Sequence, residues 1–246
     1  MNKRLSEVQG YVETLESRAK TLGLGSRFEM IVAPPSTHLS TMKAARQSEQ
    51  FQMAAQNCGM AESGAFTGEV APGVFKELAC NWTLVGHSER RHVFGESDPM
   101  LKKRLTAALA GGLGVIYCVG ETIVARRAEK TFEVLEEQMT NLKSVPEADW
   151  GSLIIAYEPV WAIGTGETAT PEQAQQVHEF IRNYLASNLS KGVASQTRIL
   201  YGGSAKPDNS GALMEQNDVD GLLVGSASLE ASMFADLIEN GLVSRA

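Results

Sequence analysis

From residue 28 onward, short apolar runs alternate with longer stretches in which apolar residues recur at helical spacing. The runs predict strands over 28–33, 51–56, 82–85, 115–119, 153–157, 199–201 and 221–224. They carry few polar positions, as strands buried on both faces do. Between them, Asp98-Pro99 predicts a cap and a first-turn proline for a helix over 100–110. Thr170-Pro171-Glu172-Gln173 has the form of a capping box, and 231–239 is spaced as a helix. A helix is also predicted over 1–22, with Leu5, Val8, Val12, Leu15, Ala19 and Leu22 on one face and Gly23 and Gly25 as stops.

Strands each followed by a helix imply parallel pairing through right-handed crossovers. No linker or low-complexity segment divides residues 1–246. The expected architecture is therefore one (β/α) barrel domain, with an open doubly wound sheet as the alternative. A closed barrel of this kind has eight strands and eight helices. The pattern yields seven strands, and nothing in it precedes the leading helix.

Charge and cysteine content narrow the function class. A net charge of −7 and a pI near 5.2 argue against a nucleic-acid or anionic-membrane partner. They leave room for an anionic small substrate in a locally positive pocket. Cys58, Cys80 and Cys118 form neither an even set nor a metal-like spacing, which fits a reducing, cytoplasmic setting. The glycine-broken window 105–120 is a poor membrane span, and the amino terminus has no signal-like apolar core.

Chemistry gathers at the ends of the predicted strands. The strand 153–157 ends on Glu158; Pro159 stops pairing, and a small, glycine-bearing loop follows. A base that takes a proton beside a carbonyl belongs in a partly desolvated pocket of this kind, although Glu158 alone could equally be a structural carboxylate. His87 follows the strand 82–85 at a helix start, where partial positive charge favours a neutral imidazole able to donate to an oxyanion. Read alone, it could also be a surface histidine beside a Glu–Arg cluster. Glycine turns at Gly202-Gly203-Ser204 and Gly225-Ser226 suit an anion such as phosphate, or merely turn the chain. The polar excursion through Gln56-Asn57 and 64–69 is either a surface loop or a docking loop, and Cys118 reads as core.

Taken together, GHSERR at 86–91, AYEPVWAIGTGETAT at 156–170, YGGSAKPDN at 201–209 and LVGSASL at 223–229 resemble the triosephosphate isomerases. Ala33-Pro34-Pro35, Ala55-Gln56-Asn57, 64–69 and Cys118-Val119-Gly120-Glu121 extend the likeness. That enzyme is itself a general illustration of lid closure and of an electrophilic neutral histidine, so these roles come from the resemblance. The resemblance implies Glu158 as the base between C1 and C2 of dihydroxyacetone phosphate, His87 as the electrophile and Glu89 as a supporting carboxylate. It implies a phosphate held by Gly164, Ser204, Gly225 and Ser226. The loop from Pro159 through Val160 and Trp161 to Ala169 would close onto Tyr201 and Ser204. Thr67 would dock into a second copy, making a homodimer, and no metal or redox cofactor is implied.

Two positions depart from the family. Ser226 stands where a glycine is usual, and its N–H can still donate. The family's first strand ends Asn-Trp-Lys ahead of Met-Asn, whereas this sequence opens with Met1-Asn2. The expectation is a shortened barrel, impaired through loss of the lysine that offsets phosphate and enediolate charge. Lys3 would lie in the loop or at the helix start. A different phosphate-ester enzyme on the same barrel, or a non-catalytic binding or scaffold descendant, are the alternatives.

Overall fold

The computed structural model describes residues 2–23, 28–163 and 168–244. Met1, Gly25 and Gly164, named above, lie outside them. All seven predicted strands form: β1 (Ile31–Val32), β2 (Gln52–Ala55), β3 (Cys80–Val85), β4 (Gly114–Val119), β5 (Leu153–Tyr157), β6 (Arg198–Tyr201) and β7 (Gly221–Leu222). Every pairing is parallel, and the strands follow one another in chain order across a single sheet. That order never reverses, which rules out the doubly wound alternative with its switch point.

The sheet curls, and the alternation along its strands shows how. Ile154 and Ala156 of β5 join Ala54, Trp82, Leu84, Ile116 and Cys118 in an inner cluster, flanked by Ile31, Ala33, Leu200 and Leu223. The strands β1 to β6, with Leu223 just past β7, thus contribute to one interior, while Leu153, Ile155 and Tyr157 face the outer core beneath the helices. Arg198, which opens β6, pairs with Glu29 just ahead of β1, so the next-to-last strand reaches round to the start of the sheet. Within the sheet, β1 and β7 each have a single neighbour. Outside it, Arg18 of the helix Val8–Thr21 pairs with Asp236 of the helix Ala231–Val243 at 2.6 Å, tying the first and last helices together.

Eleven α-helical segments occur among the described residues rather than eight. Three crossovers each split in two: Ser88–His92 with Asp98–Ala110, Ile123–Arg127 with Thr131–Met139, and Pro171–Asn188 with Lys191–Gln196. Positive φ angles at Gly95 and Glu129 mark two of the breaks.

The amino terminus also departs from expectation. Residues 2–4 are not helical, Leu5–Glu7 is a 3-10 turn, and the α-helix begins at Val8. Lys3 sits at φ 62°, outside helical geometry, with its carbonyl held by His38 Nε2 at 3.1 Å. The tighter turn rotates Leu5 off the buried face, leaving it 52% exposed, whereas Val8, Val12, Leu15 and Ala19 are buried. Ser97, not Asp98, is the N-cap of the helix Asp98–Ala110. The capping box at Thr170 forms as predicted: its Oγ1 accepts from the Gln173 N–H at 3.2 Å and its N–H donates to Gln173 Oε1 at 3.0 Å.

Candidate active site

Because the strands are parallel, the loops after β3, β5, β6 and β7 leave the sheet on one rim, the usual location of chemistry in such folds. The rim carries His87, Glu158, Ser204, and Gly225 with Ser226, in that strand order.

Glu158 is held by its backbone first. Its N–H donates to Val119 O at 2.8 Å, which carries the β4–β5 ladder one residue further. Its side chain is 2% exposed. Oε2 accepts from the Ser88 N–H at 2.8 Å, and Oε1 lies 2.9 Å from His87 Nε2. Glycines leave room for this arrangement. A Cβ at Gly120 would land on the Glu158 carbonyl oxygen, and one at Gly202 would stand 2.9 Å from Glu158 Cγ. Gly120 is fixed in turn by Gln138, whose side-chain amide accepts from its N–H at 2.8 Å and donates to its carbonyl at 3.1 Å.

His87 is the N-cap of the helix Ser88–His92, and its Nδ1 accepts from the Glu89 N–H at 3.3 Å. A donor at Nδ1 leaves the ring proton on Nε2, so the neutral tautomer donates to Glu158. The electrostatics pull the other way in this resting geometry. Burial lowers the imidazole pKa, but the hydrogen bond and charge of Glu158, with Glu89 behind them, raise it above the ordinary 6.5. In this resting geometry Glu158 thus outweighs the helix start that the sequence associates with a neutral ring. Moving Glu158 away would remove the main influence that favours the imidazolium. Glu89 touches His87 through its backbone, and its side chain is exposed. Among the described residues, no lysine or arginine pairs with Glu158 or His87.

The described ends of the loop after Glu158 are anchored. Val160–Ala162 is a 3-10 turn, and the Val160 N–H donates to Glu121 O at 3.1 Å. Glu121, fully buried, accepts at Oε1 from Trp161 Nε1 at 2.9 Å and from the Tyr157 hydroxyl at 3.2 Å. Arg126 pairs with the same carboxylate at 3.3 Å and covers the Trp161 ring at 4.2 Å. At the far end Ala169 is buried; the Tyr201 hydroxyl is buried without a hydrogen-bond partner among the described residues, and burial raises its pKa. A Cβ at Gly203 would meet the same hydroxyl and would stand 2.9 Å from Pro159 Cγ, so Tyr201 lies close to the start of the loop.

Of the anion-binding candidates, Gly225 and Ser226 are exposed and Ser204 is half-buried. Ser204 is braced by Asn209, whose Nδ2 donates to its carbonyl at 3.0 Å. The Gly225 carbonyl accepts from Ser228 through its N–H at 3.0 Å and its Oγ at 2.7 Å. Cys118 is wholly buried, and burial, with Glu158 nearby, raises its thiol well above the ordinary range, as fits packing rather than nucleophilic work. Among the described residues, no group of three or more His, Cys, Asp or Glu could hold a metal ion.

The excursion at 62–69 is exposed, Thr67 included, with Phe66 43% exposed. Glu69 ties its far end to the buried Arg104, at 3.0 Å from Nη2. Val93 and Phe94, just past the helix Ser88–His92, are 74% and 65% exposed.

Sequence reasoning did not single out Ser88, Glu121, Arg126 or Gln138. Glu121 lay inside a quoted motif; Gln138 becomes visible only when a helix folds back onto a strand end.

Comparison with known proteins bears on these residues together. The family pattern for triosephosphate isomerase matches residues 1–241. A triosephosphate isomerase from Geobacter metallireducens is 45% identical over 238 residues, covering 96% of this chain and 93% of that protein. One from Pelobacter propionicus is 45% identical over 240 residues, covering 97% and 94%. The cytosolic triosephosphate isomerase of Stellaria longipes is 44% identical over 239 residues, covering 97% and 92%.

Proposed function

This chain belongs to the triosephosphate isomerase family, glycolytic isomerases that interconvert dihydroxyacetone phosphate and glyceraldehyde 3-phosphate, and from that premise we propose how its own residues carry the reaction. Glu158 removes a proton from the carbon beside the substrate carbonyl and returns it to the neighbouring carbon. His87 donates from Nε2 to the oxygen on which negative charge develops. The supporting observation is the 2.9 Å contact between Glu158 Oε1 and His87 Nε2 at one rim of the sheet. Substrate enters between them, so the carboxylate must first leave Ser88 and His87. The imidazole is then no longer held toward its charged form, and it meets the carbonyl neutral.

Backbone N–H groups of Ser204, Gly225 and Ser226 grip the phosphate, with Gly164 outside the described residues as the fourth. The loop from Pro159 to Ala169 closes over it, turning on the Glu121–Trp161 anchor and latching on Tyr201. Water is excluded and the intermediate keeps its phosphate. Isomerisation in D₂O tests the proton route. Glyceraldehyde 3-phosphate formed from dihydroxyacetone phosphate should carry solvent deuterium at C2. Deuterium there would show that the transferred proton passes through a group that exchanges with solvent, and an unchanged rate in Glu158→Gln would remove Glu158 from the chemistry.

Among the described residues β1 and β7 have one neighbour each in the sheet, and no lysine or arginine pairs with Glu158 or His87, so a further cation supplied to this rim would stabilise the charge on the intermediate. A cytoplasmic setting fits the three free, buried cysteines and the cytosolic relative.

A homodimer built on Thr67 and the exposed Phe66, Val93 and Phe94 belongs to the same reading, since apolar side chains of this size on loops by the site suit a second copy. Sedimentation should give about twice 26.5 kDa for the wild type and the monomer mass for Phe94→Asp. A wild-type chain that stays monomeric at micromolar concentration would remove the dimer.

A further inference from the structure

The turn that carries Gly225 and Ser226 is tied to the first helix of the chain. The Gly225 carbonyl and the Ser226 N–H belong to one trans peptide unit, so they point in opposite directions. That carbonyl is turned into the 3-10 turn Ser226–Leu229, where it accepts from the Ser228 N–H at 3.0 Å and from Ser228 Oγ at 2.7 Å. The Ser226 N–H therefore faces out of the turn. Neither it nor the Gly225 N–H has a hydrogen-bond partner among the described residues.

Ser228 is held in its turn from the opposite end of the sequence. The Tyr11 hydroxyl, on the helix Val8–Thr21, donates to the Ser228 carbonyl at 2.8 Å across 217 residues of sequence. Burial first, and the Glu230 carboxylate after it, push that phenol's pKa up to about 12, so it stays a donor. The ring lies beneath Lys3 Nζ, 5.5 Å from its centroid. Lys3 also reaches Glu230, the residue directly after the turn, at 3.4 Å. These two ties are unequal. The Glu230 side chain is 70% exposed, and an ion pair so open to water holds little. The Tyr11 bond is partly buried, and its loss would leave the Ser228 carbonyl without that donor.

We infer that Tyr11 is a positioning residue for the phosphate: through Ser228 it holds the Gly225–Ser226 peptide with its N–H turned toward the anion. The inference rests on the phosphate reading above and requires no movement of the loop after Glu158.

Tyr11→Phe keeps the ring beneath Lys3 and removes only the hydroxyl. The probe is inorganic phosphate, and the readouts are its affinity and the displacement of the Ser226 amide resonance as it binds. The variant should bind phosphate about two- to tenfold more weakly, the span of a single hydrogen bond, and the Ser226 displacement at saturation should shrink. A tyrosine that merely steadied its own helix would lower the melting temperature on removal and leave both readouts alone. Unchanged affinity, or weaker binding with the Ser226 displacement intact, would overturn the inference. Should Tyr11→Phe fail to fold, Ser228→Ala decides, since it removes the Oγ bond to the Gly225 carbonyl and leaves the helix untouched. Weaker phosphate binding in the same range supports the inference there, and equal binding overturns it.

Failure of the wild-type chain to bind phosphate would count against the functional reading instead. Exchange of the Ser228 amide, which donates to the Gly225 carbonyl, then decides the inference without ligand. Faster exchange in Tyr11→Phe than in the wild type supports it, and equal rates overturn it.

Discussion

Joining an extended apolar strand that ends in Asn-x-Lys directly ahead of Met1 should raise the isomerisation rate of this 246-residue chain by about 10²–10³-fold, the range that one preorganised charge-stabilising group is worth in a water-excluded site. The sheet provides the place for it. The strands β1 and β7 have one neighbour each, and the Glu29–Arg198 pair brings the start of β6 to the residues just ahead of β1. The helices Val8–Thr21 and Ala231–Val243 are tied together outside, so an inserted strand would be covered as it paired. Its lysine would emerge on the rim that carries His87 and Glu158. Steady-state rates of the two chains, measured with a coupled assay of the product, check this directly. A second comparison, with Asn-x-Met in place of Asn-x-Lys, separates the repair of an edge from the supply of a cation. Recovery of melting temperature without recovery of rate is the expected result there. Equal rates with and without the strand would show that the open seam costs the chain nothing.

The fold was legible because strands buried on both faces leave a composition that few other elements imitate. Leu153–Tyr157 is buried at every position, and its sequence contains no polar side chain other than the tyrosine hydroxyl. The ends of elements were harder. The helix expected from the first residue starts at Val8, because Lys3 turns through a left-handed angle tied to His38, a contact between residues 35 apart in sequence. Glu158 and His87 could be read from their places after apolar runs. Their mutual geometry could not, and neither could the charge state of His87, which depends on a carboxylate 71 residues away. The groups that hold the base are the least legible of all. Ser88 acts through its backbone N–H, Gly120 through the absence of a side chain, and Gln138 through an amide delivered by a remote helix. None of these differs, as a letter in a string, from an ordinary surface or turn residue.

Glu158→Gln should lower turnover of the strand-bearing chain by about 10²–10⁴-fold, the range of a single positioned base, and leave its fold intact. Gln occupies nearly the same volume, and its carbonyl oxygen can still accept from the Ser88 N–H, so the side chain keeps its resting place. What goes is the charge, and two consequences follow. Solvent deuterium should cease to enter the product at a measurable rate. The imidazole of His87 should also titrate lower than in the wild type, because the carboxylate that raised it has gone while the burial that lowers it remains. The sign of the linkage is fixed. A histidine raised in the folded state adds stability that is fully present below its unfolded value near 6.5 and is lost as pH rises through the folded value. The stability gap between wild type and Glu158→Gln should therefore be widest on the acid side of 6.5, above the carboxylate range, and should close as pH rises. NMR titration of the His87 ring and denaturation at a series of pH values measure the two effects independently. A variant with unchanged His87 titration would show that the pair is not in contact in solution, and the turnover loss would then need another origin.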